Sequence, residues 1–123
     1  MNRKEDGYNN MELKKLCDDV REMVKACRYD ECDEYLKKAM GTYPNSAVPH
    51  NLYGLLYEKC GEHVQAMKHF RAAWAMDSSY LPARFNLNCF GTFMSREEGA
   101  YWETDCPELT EKKVAHRDMR TGM

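Results

Sequence analysis

The sequence lacks a long apolar run and lacks an excess of charge of either sign. Its first ten residues, MNRKEDGYNN, are charged and polar, and no later stretch has the roughly 20 apolar residues of a membrane-spanning helix. Lys and Arg number 18 against 20 Asp and Glu, for a net charge of -2, whereas proteins that bind phosphate backbones usually carry a basic surface. We therefore expect a cytoplasmic protein that binds neither membranes nor nucleic acid.

The sequence also lacks the common catalytic motifs. It has no Gly-x-Ser-x-Gly nucleophile turn, no His-Glu-x-x-His pair and no glycine-rich loop for a phosphate, since the seven glycines are scattered at turns. The four histidines, His50, His63, His69 and His116, are possible bases, but no motif joins them to a nucleophile or a metal ligand. We expect a protein that is not an enzyme and has no cofactor.

Disulfide and zinc patterns are missing although cysteine is abundant. The six cysteines include no Cys-x-x-Cys pair, which argues against a structural zinc site. Because we see no secretory signal, we do not expect a framework of disulfides either. Most of the cysteines are therefore interpreted as small buried apolar residues. Cys60 and His63 are three positions apart, yet a metal site would need two further ligands. A redox or metal sensor that uses Cys27, Cys32 and Cys60 remains an alternative.

What the sequence does contain is helical periodicity. Apolar residues recur at three- and four-residue intervals between turn-forming segments, which indicates amphipathic helices and not strands. Ser46 can cap a helix that has Pro49 in its first turn, and Ser79 can cap one that has Pro82 there. The pattern predicts helices near residues 12–26, 29–41, 47–60, 63–76 and 80–94.

The middle of the chain contains an internal repeat. A shift of about 34 residues, a period typical of helical arrays, aligns RYDECDEYLKKAM (28–40) with EHVQAMKHFRAAW (62–74). Cys32 then falls on Ala66, and Leu36 falls on Phe70. Each repeat thus offers a small residue where two helices approach closely and a large apolar residue that fills the space beyond it.

The stretch LYGLLYEKCGEHVQAMKHFRAA resembles a tetratricopeptide repeat, whose signature has Leu-Gly-x-x-Tyr on a first helix and Ala-x-x-x-Phe on a second. The residues at signature positions are Tyr53, Gly54, Tyr57, Gly61, Ala66, Phe70 and Ala73. The resemblance gives these residues, and Trp74 beside them, a role in packing between helices. The flanking repeats match less well, because Asp19 and Val20 occupy the Leu-Gly positions of the first one.

The resemblance implies an all-α fold in which antiparallel helix pairs stack as a short right-handed α-solenoid of about two and a half repeats. The helical domain is expected over residues 12–94, after a flexible tail at 1–11. Its parts are repeats at about 13–46 and 47–80 and a further helix at 81–94.

Proteins of this family line a groove with their first helices and hold peptides or helices of partners in it, so the resemblance implies a protein-binding adaptor. The lysine-and-asparagine clamp for chaperone tails is not reproduced, because Cys17 and Arg21 occupy its places in the first repeat. The groove positions carried onto this chain are Lys14, Arg21, Lys25, Asn51, Leu55, Lys59, Phe85, Cys89 and Phe93.

The C-terminal tail, residues 95–123, begins with acidic residues around Tyr101 and Trp102, which complement a groove that is basic at one end and aromatic at the other. We expect it either to form a partial second helix or to occupy the groove, docked through these two aromatics and disordered after about Pro107. Alternatively, the apolar stripe Phe85, Cys89 and Phe93 could join two copies of the chain as a homodimer.

Overall fold

The structure is a computed structural model that describes residues 10–91 and 99–106. Within these residues it is all-helical, without strands, as the sequence predicted. No helix in this part of the chain combines the length and the apolar composition that crossing a membrane requires. The elements are α1 (Asn10–Lys25), α2 (Tyr29–Thr42), α3 (Val48–Lys59), α4 (His63–Met76), α5 (Leu81–Phe90) and a 3-10 turn (Glu103–Asp105).

The turns after α1 and after α3 have the same geometry. Each contains one residue with left-handed backbone angles, Cys27 with φ 58° in the first and Gly61 with φ 81° in the second. Such a residue ends a helix and lets the following amide bond back to a carbonyl of its last turn. These hydrogen bonds run from the Arg28 amide to the Met23 carbonyl (2.9 Å) and from the Glu62 amide to the Tyr57 carbonyl (2.8 Å).

The two predicted serine caps have different outcomes. The N-cap position of α3 is Ala47, one residue later than predicted, but the Ser46 hydroxyl oxygen still accepts a hydrogen bond from the Val48 amide at 3.1 Å. Ser79 does not cap α5, because its hydroxyl donates to the Asp77 carboxylate at 2.6 Å and its amide donates to the same oxygen at 3.1 Å. The residue that precedes α5 is Tyr80, which makes no side-chain cap.

The first and last helices differ in extent from the sequence prediction. α1 begins at Asn10, so the helical domain includes two residues that were expected in the tail. α5 ends at Phe90 instead of residue 94, and the amide of Gly91 closes it by donating to the Leu87 carbonyl. Phe93 and the part of the tail after Cys106 lie outside the described residues.

The helices form two layers. Each helix contacts the next one along the chain, and in addition α1 contacts α3 and α3 contacts α5. α2 and α4 make no comparable contact with each other in the described residues. The odd-numbered helices are therefore neighbours in one layer, and the even-numbered helices cover its other side.

The core between the layers depends on small residues where helices approach. A Cβ atom built on Gly54 of α3 would lie 2.3 Å from the ring of Phe70 of α4, so only glycine fits there. Ala66 and Ala73 on either side of Phe70 are also fully buried. Trp74 differs from the expectation: 44% of it is exposed, because it lies on the outer side of α4 and not between helices.

Candidate functional site

The outward surface of the odd-numbered helices, called the groove below, is occupied by the chain itself. Residues 99–106, the docked segment, lie against α1, α3 and α5 through contacts of Arg21, Asn51 and Phe85. Three side chains of this segment are buried, with Ala100 at 0%, Tyr101 at 4% and Cys106 at 1% exposure. These three residues are therefore as buried as the helical core, while Gly99, Trp102, Glu103 and Asp105 are partly exposed.

Two buried asparagines hold the backbone of Ala100. The side-chain oxygen of Asn86 accepts from the Ala100 amide at 2.7 Å, and its NH2 group donates to the Ala100 carbonyl at 2.8 Å. The NH2 group of Asn51 donates to the same carbonyl at 3.1 Å, and a 2.8 Å bond from Asn86 to the Asn51 side-chain oxygen links the two amides. Both backbone polar groups of Ala100 are thus satisfied in a dry site by side chains, as a neighbouring strand would satisfy them.

The site admits only small residues next to this clamp. Gly99 has φ +78°, and a Cβ on it would lie 2.6 Å from Leu55 and 2.8 Å from the ring of Phe90. Ala100 packs with Phe85 and Cys106 in a small apolar cluster. The site therefore selects for small side chains at positions 99 and 100, in addition to binding the backbone.

The other end of the docked segment is held by charge. Arg21 of α1 forms an ion pair with Asp105, and its guanidinium lies 4.9 Å from the centre of the Tyr101 ring. The Asp105 carboxylate also accepts hydrogen bonds from the Tyr101 amide at 3.0 Å and the Trp102 amide at 3.1 Å. These bonds fold the segment into its 3-10 turn and place one carboxylate against the groove arginine.

Five of the nine predicted groove residues are brought together under or beside the docked segment: Arg21, Asn51, Leu55, Phe85 and Cys89. Asn51 and Leu55 are buried beneath it and are not open to a partner while the segment is in place. Phe85, 9% exposed, is covered as well, whereas Cys89 is only partly buried, so the apolar stripe considered for a homodimer is covered at Phe85 and partly open at Cys89.

The basic residues are distributed differently. Lys25 and Lys59 line, with Arg21 and Tyr101, a cavity of about 240 Å³ at the edge of the docked segment. Lys14 does not take part: it is exposed and pairs with Asp18 of its own helix at 3.2 Å. The basic end of the groove is therefore formed by the last turns of α1 and α3.

Sequence reasoning missed Asn86, which makes the most contacts with the backbone of the segment. A shift of 34 residues pairs Asn51 with Phe85, while the asparagine that joins it in space follows one position later. The available signal was an asparagine on each of two successive first helices. It became meaningful only once the structure placed both beside one backbone unit.

The cysteines and histidine considered from the sequence as metal or redox residues differ in burial: Cys32 is buried, whereas Cys27, Cys60 and His63 are exposed. The His63 ring lies 2.6 Å from the Glu58 carboxylate, and no group of three or more potential metal ligands comes together in the described parts of the chain. All six cysteines are free thiols. Burial raises the pKa of the Cys32 thiol to about 11, and burial, with nearby acidic groups, also raises that of Cys60. Both thiols are therefore protonated and weakly nucleophilic near neutral pH.

Comparison with known proteins gives no further guide: the chain matches no family model, and no curated protein or solved structure is significantly similar to it.

Proposed function

We propose that this protein is a non-catalytic interaction module, with a tetratricopeptide-like solenoid architecture, that binds an extended peptide segment of a partner protein in the groove. The observation that carries the proposal is the pair of buried asparagines, Asn51 and Asn86, that bond to both backbone polar groups of Ala100. A clamp of this kind recognises the main chain and leaves selectivity to the pockets on either side.

The arrangement of the helices supports the architectural part of the proposal. α2 and α4 begin 34 residues apart, at Tyr29 and His63, and both have 14 residues. Stacked helix pairs are expected to show contacts between successive helices and between successive first helices, and both kinds occur here, the latter between α1 and α3 and between α3 and α5. In such a stack the first helices form one continuous surface, which is where the docked segment lies.

The test uses a variant in which the groove is vacated without a change to any residue on its helices. Gly99→Val adds a side chain at a position where a Cβ already meets Leu55 and Phe90 and where φ is +78°, so the segment is expelled. Gly41→Val is the matched control, because a Cβ on Gly41 meets nothing within 4 Å. Circular dichroism of both full-length variants should show that the helices are retained.

A phage-displayed library of random dodecapeptides is panned on the full-length Gly99→Val protein, and the enriched peptides are synthesised. We expect them to bind at least 10-fold more weakly when Arg21→Glu is added, because the reversed charge repels their acidic groups. Lys14→Glu on the same helix should leave their affinity unchanged. Failure to enrich any peptide, or equal binding to the Arg21→Glu protein, contradicts the proposal.

A further inference from the structure

We propose that the docked segment is a built-in competitor for the groove, and that the partner peptide has the same chemistry: a glycine and a second small residue, an aromatic residue directly after them, and a carboxylate four positions beyond the aromatic. This inference rests on the proposed function. In the chain itself these features are Gly99, Ala100, Tyr101 and Asp105.

The contacts of the docked segment are those of a bound ligand. Its polar anchor is a pair of side-chain amides that bond to its backbone, and its charged anchor, Arg21 with Asp105, is only partly buried, with side chains 31% and 26% exposed. Interfaces between separate proteins commonly combine a dry centre with a charged, partly exposed rim of this kind. In the sequence, the segment comes after the last helix of the stack, α5, and is separated from it by residues 92–98.

Each anchor specifies one feature of the partner sequence. The space around Gly99 excludes a Cβ. The methyl group of Ala100 at the next position packs on Phe85 of α5 and on Cys106 of the segment itself. The guanidinium of Arg21 stacks on an aromatic ring while it pairs with a carboxylate. The cavity lined by Lys25 and Lys59 beside Tyr101 favours further acidic residues in the partner.

Covalent attachment makes the segment a strong competitor even if its own affinity is modest. A segment on a short connection competes at an effective concentration on the order of 1 mM. A free peptide with the same contacts and a Kd of about 10 µM for the vacant groove would then bind the intact protein about 100-fold more weakly. A partner must therefore be locally concentrated, or bind more tightly than the segment, to displace it.

The experiment uses a fluorescein-labelled octapeptide with the sequence of residues 99–106, in which Cys106→Ala prevents oxidation and keeps a small apolar side chain in the cluster with Phe85. Its binding to full-length wild type, Gly99→Val and Gly41→Val proteins is measured by fluorescence anisotropy. We expect the Gly99→Val protein to bind the peptide at least 10-fold more tightly than the other two. A peptide that also carries Asp105→Asn should bind the Gly99→Val protein at least 10-fold more weakly, since it cannot pair with Arg21.

Equal affinity of the octapeptide for all three proteins, or no binding to the Gly99→Val protein, overturns the inference. If Gly99→Val loses helical content, the full-length variant with Tyr101→Ala and Asp105→Asn replaces it, because these changes remove the charged anchor and leave the groove helices intact. The panning experiment separates the two proposals. If random peptides bind in an Arg21-dependent way but the octapeptide does not bind, the proposed function stands and only the competitor role is wrong. If neither the random peptides nor the octapeptide bind, the proposed function is wrong as well.

Discussion

Among single residues, two buried asparagines matter most to the docked segment, because burying a polar group without a hydrogen-bond partner costs free energy. An unsatisfied donor or acceptor costs about 1–3 kcal/mol, and Asn51 and Asn86 are both fully buried. Here their side chains are satisfied by each other and by the backbone of Ala100. If the docked segment left the groove, water would have to hydrate these amides, so the two asparagines favour the docked state of the segment.

A second polar cluster at this scale lies between α3 and α4 and makes stability depend on pH. The Nδ1 atoms of His50 and His69 are 3.1 Å apart, and the His69 ring stacks on Tyr53 and Tyr57. Burial lowers the pKa of both imidazoles, and for His69 the neighbouring His50 lowers it further. One ring nitrogen must donate and the other accept, so this contact requires at least one neutral ring.

We predict that the free energy of unfolding falls as the pH is lowered from 7.5 to 5.5. The unfolded chain takes up protons on these histidines near pH 6.5, while the folded chain resists protonation until lower pH, so acid favours unfolding. The His69→Phe variant keeps a ring that can stack but does not titrate. Urea denaturation at both pH values should show a smaller loss of stability in this variant than in the wild type, and an equal loss would contradict the assignment.

At the scale of elements, much of the fold could be predicted from the sequence. The apolar period located all five helices, because it arises from the packing of each helix against its neighbours. α2 and α4 begin 34 residues apart, at Tyr29 and His63, which agrees with the shift used in the sequence alignment. The errors lie where local rules compete. Serine is a common N-cap residue, but the hydroxyl of Ser79 donates to the Asp77 carboxylate instead of capping α5. Trp74 fits the apolar period of α4, yet it lies on the exposed side of that helix.

The packing of α3 against α4 gives a prediction at the same scale. Gly54→Ala would place a methyl group 2.3 Å from the Phe70 ring, and overpacking of this kind costs about 1–3 kcal/mol. Gly41→Ala is the control within a helix, since the added methyl group meets nothing within 4 Å and alanine in a helix is more stable than glycine by roughly 0.5–1 kcal/mol. The two changes should therefore have opposite signs.

Thermal and urea denaturation of the two alanine variants measure these changes in the free energy of unfolding. If Gly54→Ala were neutral or stabilising while Gly41→Ala behaved as expected, α3 and α4 would not cross as closely as described. That result would also weaken the comparison with stacked helix pairs.

For the whole molecule, the family resemblance predicted a groove along the first helices, and the composition of the tail complements that surface in charge and aromatic content. The sequence could not indicate which residues of the tail contact which residues of the groove. Asn51 and Ala100 are 49 positions apart, and neither a period nor a motif links residues at that separation. The position of Gly99 against Leu55 and Phe90 likewise depends on the three-dimensional arrangement of three parts of the chain.

The most direct measurement of the central claim is hydrogen exchange at the amide of Ala100, followed by NMR in the full-length wild type, Gly99→Val and Gly41→Val proteins. This amide donates to the buried side chain of Asn86 at 2.7 Å, so it exchanges only when the segment leaves the groove. We expect strong protection in the wild type and in Gly41→Val, and loss of that protection in Gly99→Val while the amides of α3 remain protected. Exchange of the wild-type Ala100 amide at the rate of an unstructured peptide would contradict this expectation.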